Sequence, residues 1–401
     1  MYYGEIHGPA VGGSDYNMEA YLDNSSTTRV YARVCDKMMK VMEEEYGNPS
    51  SLHMKGFRAE QCVKEAREEI ARSLRVSEKE IIFTSGGTES NNMALIGAAM
   101  ANKRKGMHLI TTAFEHASVA NTMRFLEEQG FRVTILPVSH EGVVSLQALE
   151  EAICPETILV SVMYVNNEIG SVQPIAEIAK IIRRKKADII FHVDAIQAYG
   201  KYVIRPKKQG IDLLSVSGHK IHGPKGTGFL YIRDKVKIDP LILGGGQQKG
   251  MRSGTENVPG VVGLGEAVHE IYKDHEEKIR KMYELKHRLV DGLSDLEGIV
   301  INGQPLDVGA PQIVSISFRG IRSEVLLHAL EEREIYVSAG SACSSNHPAL
   351  SGTLKSIGVE KDLLDCTLRF SFGVFTTESE IDYTVSVIRE LVPVLRRYKR
   401  I

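Results

Sequence analysis

The sequence predicts an α/β protein, with a large domain built on a mostly parallel sheet and a smaller α+β domain after it. Between residues 80 and 217, short apolar runs typical of buried strands alternate with segments of helical periodicity. A long amphipathic helical stretch rich in Lys and Glu then runs from Val258 to about Leu296. Beyond it, strand and helix patterns mix without strict alternation, which is typical of an α+β domain.

The first ordered elements follow from apolar spacing and from the residues that stop them. Tyr21 to Thr28 is predicted to be a short strand and a polar turn. Val34, Met38 and Val41 recur at helical intervals within a helix predicted over 30–46, and a Gly-Asn-Pro sequence at 47–49 ends it. A second long amphipathic helix is predicted over 57–74.

The alternating region supplies the sheet. Strands are predicted over 80–84, 107–112, 131–136, 157–163, 189–194 and 211–216, and helices over 117–129, 146–153 and 174–186. Pro174 suits the first turn of its helix. In the smaller domain we predict strands over 299–301, 313–318 and 335–337, and helices over 323–332 and 378–398. The resulting division is 1–30 as a lead-in joining the small domain, 31–275 as the large domain and 276–401 as the small domain.

Composition narrows the class of protein. The chain has 401 residues, which is enough for two or three domains with a large core. A net charge of −2 gives no electrostatic reason to expect nucleic acid as the main partner. Signal-peptide and membrane-spanning patterns are absent from the sequence, and five cysteines without a C-x-x-C pair favour a reducing compartment. We therefore expect a cytoplasmic protein without a metal site or membrane partner.

Lys220 and Asp194 indicate a cofactor. Lys220 lies in a glycine-rich loop after the strand over 211–216, and Asp194 ends the neighbouring predicted strand. Pyridoxal 5′-phosphate (PLP) needs such a pair: an amine that bonds to its aldehyde, and a carboxylate that keeps its ring nitrogen protonated. Taken singly, each residue also fits a solvated loop lysine or a helix cap. Together they favour PLP.

Polar residues follow several strands at the edge where ligands of parallel sheets bind. His116 follows one predicted strand, Asn167 follows the next strand with a candidate residue, and Asp194 and Gln197 follow a third. Gly87 and Thr88 open a helix after the strand over 80–84, and free backbone N–H groups at such a turn favour a phosphate. An ordinary N-capped turn explains the same residues. The presence of Lys220 favours the interpretation of this turn as a site for the cofactor phosphate.

Three segments resemble the cysteine desulfurases of the NifS/IscS type. They are HVDAIQAYGK from His192, SGHKIHGPKG from Ser217 and VSAGSACSS from Val337. The resemblance runs in consistent order from about Tyr21 to the C-terminus. It implies the PLP-dependent transferase fold type I, which is the aspartate aminotransferase-like fold, and a homodimer that acts on L-cysteine.

The resemblance also implies roles for individual residues. The phosphate would be held by Gly87, Thr88, Ser217 and His219, with Thr255 added from the partner across the dimer interface. His116 would stack on the ring and carry protons. Asn167 would hold the substrate carboxylate or the ring O3′, and Gln197 the ring O3′. Gln248 stands where relatives usually carry glutamate, and we expect no functional loss from that difference.

Cys343 is the candidate nucleophile. It lies in a run of small polar residues after a predicted strand, where a cysteine is accessible rather than part of a core. An inert loop thiol is the alternative, and the resemblance favours catalysis. Downstream, Leu350-Ser351-Gly352-Thr353-Leu354 stands where relatives often carry Pro-Ser-x-Val-Leu, a difference that bears on loop anchoring and on the choice of acceptor.

Arg369 is the candidate substrate-carboxylate ligand, because an arginine in an apolar strand pattern needs an anionic partner. An internal Asp or Glu is the alternative partner. The predicted function is a PLP-dependent cysteine desulfurase that passes persulfide sulfur to an acceptor for iron–sulfur cluster assembly or for tRNA or cofactor thiolation. A selenocysteine lyase, an aminotransferase and a non-catalytic iron–sulfur scaffold that keeps a PLP site are the alternatives.

Overall fold

The structure, a computed structural model, describes residues 18–339 and 350–397. A seven-stranded sheet forms the centre of the larger part. Its strands are β2 (Ile81–Thr84), β3 (His108–Thr112), β4 (Arg132–Leu136), β5 (Thr157–Met163), β6 (Ile190–Asp194), β7 (Leu213–Ser217) and β8 (Gly228–Ile232). The six strands predicted here are confirmed, with ends that differ by at most a few residues.

The order across the sheet is β2-β8-β7-β6-β5-β3-β4. From β7 to β4 every pair is parallel, whereas β8 runs antiparallel to both of its neighbours. The sheet is thus mostly parallel, as predicted. The sequence analysis missed β8, because the segment GFLYI follows the glycine-rich loop directly and lacks a helix before it. Only pairing with β7 and β2 identifies it as an antiparallel insertion.

Helices cover both faces of this sheet. They are α1 (Ala32–Glu44), α2 (Met54–Leu74), α3 (Gly87–Asn102), α4 (Ala117–Glu128), α5 (Leu146–Ala152), α6 (Ile175–Lys185), α7 (Pro206–Gln209) and α8 (Val258–Tyr272). Two apolar clusters fill the spaces beside the sheet, and they draw on residues such as Phe191 and Phe229 in one cluster and Leu109 and Leu159 in the other. Burial on both faces explains why the strands read as continuous apolar runs.

The smaller part is an α+β unit. A four-stranded sheet has the order β12-β13-β10-β9, built from β9 (Ile299–Asn302), β10 (Ile313–Phe318), β12 (Ser338–Ala339) and β13 (Thr367–Ser371). A two-stranded pair joins β1 (Ala20–Tyr21) to β11 (Ile335–Tyr336). The helices are α9 (His275–Leu293), α10 (Ser323–Glu331), α11 (Gly352–Ser356) and α12 (Glu378–Arg397).

The single helical stretch predicted from Val258 to Leu296 is wrong. It is two helices, α8 and α9, separated at Lys273 and Asp274. Lys273 is extended and Asp274 has a φ of 49°, a left-handed conformation in which a helix cannot continue. Periodicity alone could not show the break, because apolar spacing resumes on its far side.

The apolar core of the smaller part contains residues from both ends of the described sequence. Ala20 and Leu22 pack in one cluster with residues of α9, β10, β13 and α12. The N-terminal strand therefore lies with the C-terminal unit, while the boundaries at residues 30 and 275 stay predictions. None of the helices within 18–339 and 350–397 combines the length and the apolar character that crossing a bilayer requires.

Candidate active site

A cavity of about 330 Å³ opens where β5, β6 and β7 end. Its walls come from the ends of five strands of the large sheet, from β13 and from the turn after β1. The lining residues are Ser25, Ser26, Gly87, Thr88, His116, Ser118, Met163, Val165, Asn167, Asp194, Ile196, Gln197, Ser217, His219, Lys220 and Arg369. Ligands of parallel sheets bind at this edge, so the position agrees with the one expected from the strand pattern.

Lys220 reaches the cavity from a short 3₁₀ turn, Gly218–Lys220, that follows β7 directly. Its Nζ donates to the carbonyl oxygens of Ser25 and Ser26, the latter at 2.6 Å. Its own carbonyl oxygen accepts a hydrogen bond from Nζ of Lys201 at 2.6 Å. The turn after β1 thus holds the amine of Lys220, and the buried Lys201 holds its backbone carbonyl group.

Asp194 ends β6 and is 4% exposed. Its Oδ2 accepts from the amide nitrogen of Asn91 at 2.8 Å, and its Oδ1 accepts from the backbone N–H of Ile196 at 3.0 Å. Burial raises the pKa of Asp194, although these hydrogen bonds and the nearby His116 and Lys220 act in the opposite direction. A buried carboxylate held in this way is suited to pair with a cationic N–H group.

His116 caps the N-terminus of α4. Its Nδ1 accepts from the backbone N–H of Ser118 at 3.1 Å and lies 2.8 Å from the hydroxyl of the same serine. Since Nδ1 is an acceptor, the proton of the neutral ring lies on Nε2. Burial lowers the pKa of His116; Lys220 lowers it further and Asp194 opposes the shift. The ring is therefore held neutral in a defined tautomer.

The turn from β2 into α3 forms a cradle for an anion. Gly86 precedes α3 with a φ of 150°, and Gly87 is its first residue. A Cβ on Gly87 would lie 2.1 Å from Cδ1 of Ile196, so any larger residue there would have to displace the Ile196 side chain. The N–H groups of the first turn of α3 have no partner within the helix, and Ser217 lines the same cavity. Together these groups fit a phosphate.

His219 lies on the same side of the cavity as Ser217. Its Nδ1 is 3.3 Å from the hydroxyl of Thr27, and its backbone carbonyl accepts from both the N–H and the hydroxyl of Thr28. Burial, with Lys220 and Lys225 nearby, lowers the pKa of His219 to about 4. The ring is neutral at physiological pH, so it would act on an anion through a hydrogen bond and not through charge.

Arg369 enters the cavity from β13 and is 6% exposed. It donates to Oδ1 of Asp23 at 2.8 Å, to the hydroxyl of Ser26 at 2.6 Å and to the carbonyl oxygen of Asn167 at 2.8 Å. The internal carboxylate that the sequence analysis left open is thus Asp23. The Nε atom of Arg369 is buried and has no hydrogen-bond partner within 18–339 and 350–397, so among these residues part of the guanidinium still needs an acceptor.

Gln197 and Asn167 complete the wall between these groups. The side-chain amide of Gln197 donates to the carbonyl oxygen of Ser25 at 2.9 Å. Asn167 lies in the loop after β5, next to Glu168. All the predicted site residues line the cavity except two. Thr255 is exposed and lies elsewhere on the chain, and Cys343 falls in 340–349, outside the described residues.

Several residues at the site were not assigned from the sequence. Ser25, Ser26 and Asp23 belong to the turn after β1, whose polar composition indicated only a loop. Asn91 lies on α3 and contacts Asp194 across 103 positions of sequence. Gln248 also has an unassigned role, because its side-chain oxygen accepts from the backbone N–H of Phe83 at 3.1 Å. Local pattern carries no signal for such contacts.

Comparison with known proteins places this geometry in a family. The family model for class-V aminotransferases matches residues 20–384. A protein described as cysteine desulfurase IscS from Methanosarcina thermophila is 45% identical over 383 residues, which is 96% of this chain and 94% of that relative.

Solved structures agree. A structure described as a NifS-like protein has a TM-score of 0.89 and 40% identity, covering 94% of this chain and 100% of its own. One described as SspA in complex with cysteine has a TM-score of 0.76 and 36% identity, covering 89% of this chain and 100% of its own. The chain therefore belongs to the class-V aminotransferase family and, within it, to the cysteine desulfurases of the NifS/IscS type.

Proposed function

We propose that the protein binds PLP and converts L-cysteine to L-alanine, with Cys343 taking the sulfur as a persulfide. The observation that carries this proposal is the meeting of Lys220, Asp194 and Arg369 in one cavity, although they come from three separate strands. A solved relative at 36% identity is described as a complex with cysteine, which supports the substrate. Membership of the cysteine desulfurases supports the reaction.

The cavity has the features that PLP needs. Gly87 and Thr88 at the start of α3 would hold the phosphate, with Ser217 and His219 opposite. Asp194 is buried and would pair with the ring nitrogen, while Gln197 would face the ring O3′. When bound at Lys220, PLP supplies an electron sink for the carbon skeleton of the substrate.

Arg369 would bind the carboxylate of cysteine. Its Nε, which has no partner among the described residues, and the one remaining N–H of the guanidinium can donate to a carboxylate. Asp23 and Ser26 orient the guanidinium, and Asn167 closes the same wall. The substrate would thus be held by its carboxylate at one end of the cavity, with its Cα toward Lys220.

Lys220 and His116 would act on the substrate at its Cα proton and its sulfur. The Lys220 amine lies in the cavity and, when it is unprotonated, would take the Cα proton of the substrate. His116 is neutral with its proton on Nε2, so this N–H, which points away from Ser118, would donate a hydrogen bond to the substrate sulfur. Cys343, as a thiolate, would attack the substrate sulfur. The S–S bond forms, the C–S bond breaks, and its electron pair stays with the skeleton that leaves as alanine.

The position of β12 supports this role for Cys343. Ser338 and Ala339, the last described residues before it in the chain, pair with Arg369 and Leu368 of β13. The segment that carries Cys343 therefore starts beside the proposed carboxylate ligand. Its persulfide would then pass the sulfur to an acceptor protein, which we propose to be an iron–sulfur scaffold or a thiolation enzyme in the cytoplasm.

A homodimer would complete the site. Thr255 is exposed and does not reach the cavity of its own chain, so it is free to contribute to the phosphate site of a partner. Apolar side chains also cluster on the surface of α1 and the start of α2. They are Met39, Met42, Tyr46, Leu52, Met54 and Phe57, each at least half exposed. A surface of this kind is typical of a protein interface.

The test is to measure sulfide and alanine released from L-cysteine by the purified, PLP-loaded protein, with Cys343→Ala beside it. Equal amounts of the two products, lost in the variant, are expected. Turnover of selenocysteine that survives in Cys343→Ala would indicate a selenocysteine lyase, and a keto acid product would indicate an aminotransferase. A PLP-loaded protein without any turnover would contradict the proposal and favour a scaffold.

A further inference from the structure

Glu168 joins the loop after β5 to α11, the helix that follows residues 340–349 in the chain. We propose that Glu168 is a positioning residue, which clamps the start of α11 to the rim of the active-site cavity and so sets where the segment bearing Cys343 is attached. The proposal rests on the proposed function of Cys343, but the clamp itself consists only of described residues.

The clamp has two hydrogen bonds from buried hydroxyl groups. The Ser351 hydroxyl donates to Oε2 of Glu168, and the Thr353 hydroxyl donates to Oε1 at 3.0 Å. Ser351 also caps α11, because its hydroxyl oxygen accepts from the backbone N–H of Leu354 at 3.0 Å. One carboxylate therefore holds both the cap and the first turn of the helix.

Apolar contacts support the same attachment. Ile169, next to Glu168, lies in a small cluster with Leu354, Ile357, Val359 and Leu363, separate from the main cores. The backbone carbonyl of Ile357 accepts from His140 at 2.8 Å. By chain position α11 belongs to the predicted small domain, yet it packs on the loops of the large sheet.

The loop that carries Glu168 is itself fixed at the cavity. The side-chain oxygen of Asn166 accepts from the backbone N–H groups of Glu168 and Ile169. Between them, Asn167 lines the cavity and its carbonyl oxygen accepts from Arg369. A movement of Glu168 would therefore move α11 relative to the substrate site.

The described residues on both sides of 340–349 are thus attached near the cavity. At the N-terminal end Ser338 pairs with Arg369, and at the C-terminal end Ser351 is held by Glu168. Within the described residues Glu168 makes no ion pair, so its hold on α11 depends on hydrogen bonds to hydroxyl groups. A glutamine has the same length and can replace those bonds, since hydroxyls both donate and accept.

The experiment compares PLP-loaded wild type, Glu168→Ala and Glu168→Gln. Cysteine binding is followed by the change in absorbance of the bound cofactor, and persulfide formation on Cys343 by mass spectrometry in a single turnover. In Glu168→Ala we expect persulfide formation to slow by about tenfold and the half-saturating cysteine concentration to change by less than about twofold. Glu168→Gln should recover to within about threefold of wild type.

Hydrogen exchange of the amides over 351–357 gives a readout that needs no turnover. It should speed up in Glu168→Ala and in the double variant Ser351→Ala/Thr353→Val, and combining the two changes should add little. Glu390→Ala is the control, because Glu390 is an exposed carboxylate on α12 that pairs with Arg333.

The possible outcomes test the Glu168 clamp separately from the proposed cysteine desulfurase function. Unchanged exchange over 351–357 in Glu168→Ala would show that there is no clamp. Faster exchange with an unchanged persulfide rate, or a parallel loss of cysteine binding that glutamine does not rescue, would overturn the positioning role. If wild type forms no persulfide, the proposed function fails, and the exchange comparison still decides whether Glu168 holds α11.

Discussion

Lys201 is buried behind the proposed catalytic lysine, and its Nζ donates to the carbonyl oxygen of Lys220. Burial, and secondly the charge of Lys220, lower the pKa of Lys201 to about 7. The folded protein therefore disfavours the charged form of this side chain. Lys201 can donate this hydrogen bond to Lys220 in both of its protonation states, because a neutral amine is still a donor.

This depressed pKa predicts a pH-dependent stability. Between about pH 7 and the ordinary lysine value of 10.5 the unfolded chain binds more protons at Lys201, so stability rises with pH across that window. The methionine in Lys201→Met carries no charge. We expect its melting temperature to exceed that of wild type by about 3 °C at pH 6, and the difference to vanish toward pH 10.

Thermal unfolding of the cofactor-free and PLP-loaded proteins at several pH values measures this difference. Lys208→Met serves as the control, because Lys208 is exposed on α7. A difference that stays constant from pH 6 to pH 10 would contradict a charge penalty at Lys201 and leave only its packing to explain the stability change.

At the scale of elements, the turn between β2 and α3 depends on close packing. A Cβ on Gly87 would meet Cδ1 of Ile196 at 2.1 Å and Cβ of Ser217 at 3.5 Å. Ile196 lies between Asp194 and Gln197 in the turn after β6. Two parts of the proposed cofactor site, the N-terminus of α3 and the turn after Asp194, therefore touch at this glycine.

We expect Gly87→Ala to weaken PLP binding by about tenfold, because the methyl group must push Ile196 or the start of α3 out of place. In Gly87→Ala/Ile196→Ala the space of the lost side-chain atoms accepts the methyl group, and most of the affinity should return. Equilibrium titration with PLP, followed by absorbance, measures both effects.

Two single variants complete the set. Ile196→Ala reports the loss of the side chain itself. Gly246→Ala adds a methyl group at an exposed glycine where a Cβ meets nothing within 4 Å, and it should bind PLP like wild type. If the double variant binds no better than Gly87→Ala, crowding by Ile196 is not the cause.

At the scale of the whole molecule, one chain leaves an apolar surface uncovered. Met39 and Met42 are three residues apart near the end of α1, so they lie on one face, and the exposed Tyr46 follows just beyond the helix. Met54 and Phe57 add to it from the first turn of α2. A second copy would cover this surface, and a stable interface of standard size needs about 800 Å² from each partner.

We therefore expect Met42→Lys/Phe57→Lys to shift the protein from dimer toward monomer in light scattering at micromolar concentration, since two buried charges oppose association. The monomer should also bind PLP more weakly, because Thr255 of a partner is missing from the phosphate site. Thr255→Ala alone should weaken PLP binding and leave the dimer intact.

Phe125→Lys is the matched control for this variant. Phe125 is similarly apolar and exposed, but it lies on α4, away from α1 and α2. A double variant that remains as dimeric as the control, or a wild-type protein that is itself monomeric, would contradict the proposed interface.

The local sequence pattern was enough to predict most strands of the large sheet, several candidate site residues and the family. The inner strands β3, β5, β6 and β7 were predictable because burial on both faces of a parallel sheet makes them apolar runs, whereas β2 and β4 lie at the edges of the sheet. Lys220, Asp194 and His116 were predictable because they follow those runs at the one edge where parallel strands end together. The motifs around Lys220 and Cys343 indicated the family.

Tertiary structure alone decided the features that depend on residues far apart in the chain. Asp23 and Arg369 pair across 346 positions, and Ser351 meets Glu168 across 183. The antiparallel strand β8 and the break at Asp274 likewise depend on neighbours and backbone angles that periodicity does not encode. Sequence reveals which side chains could do the chemistry, because local periodicity follows burial; partner choice depends on how the folded chain brings distant segments into contact.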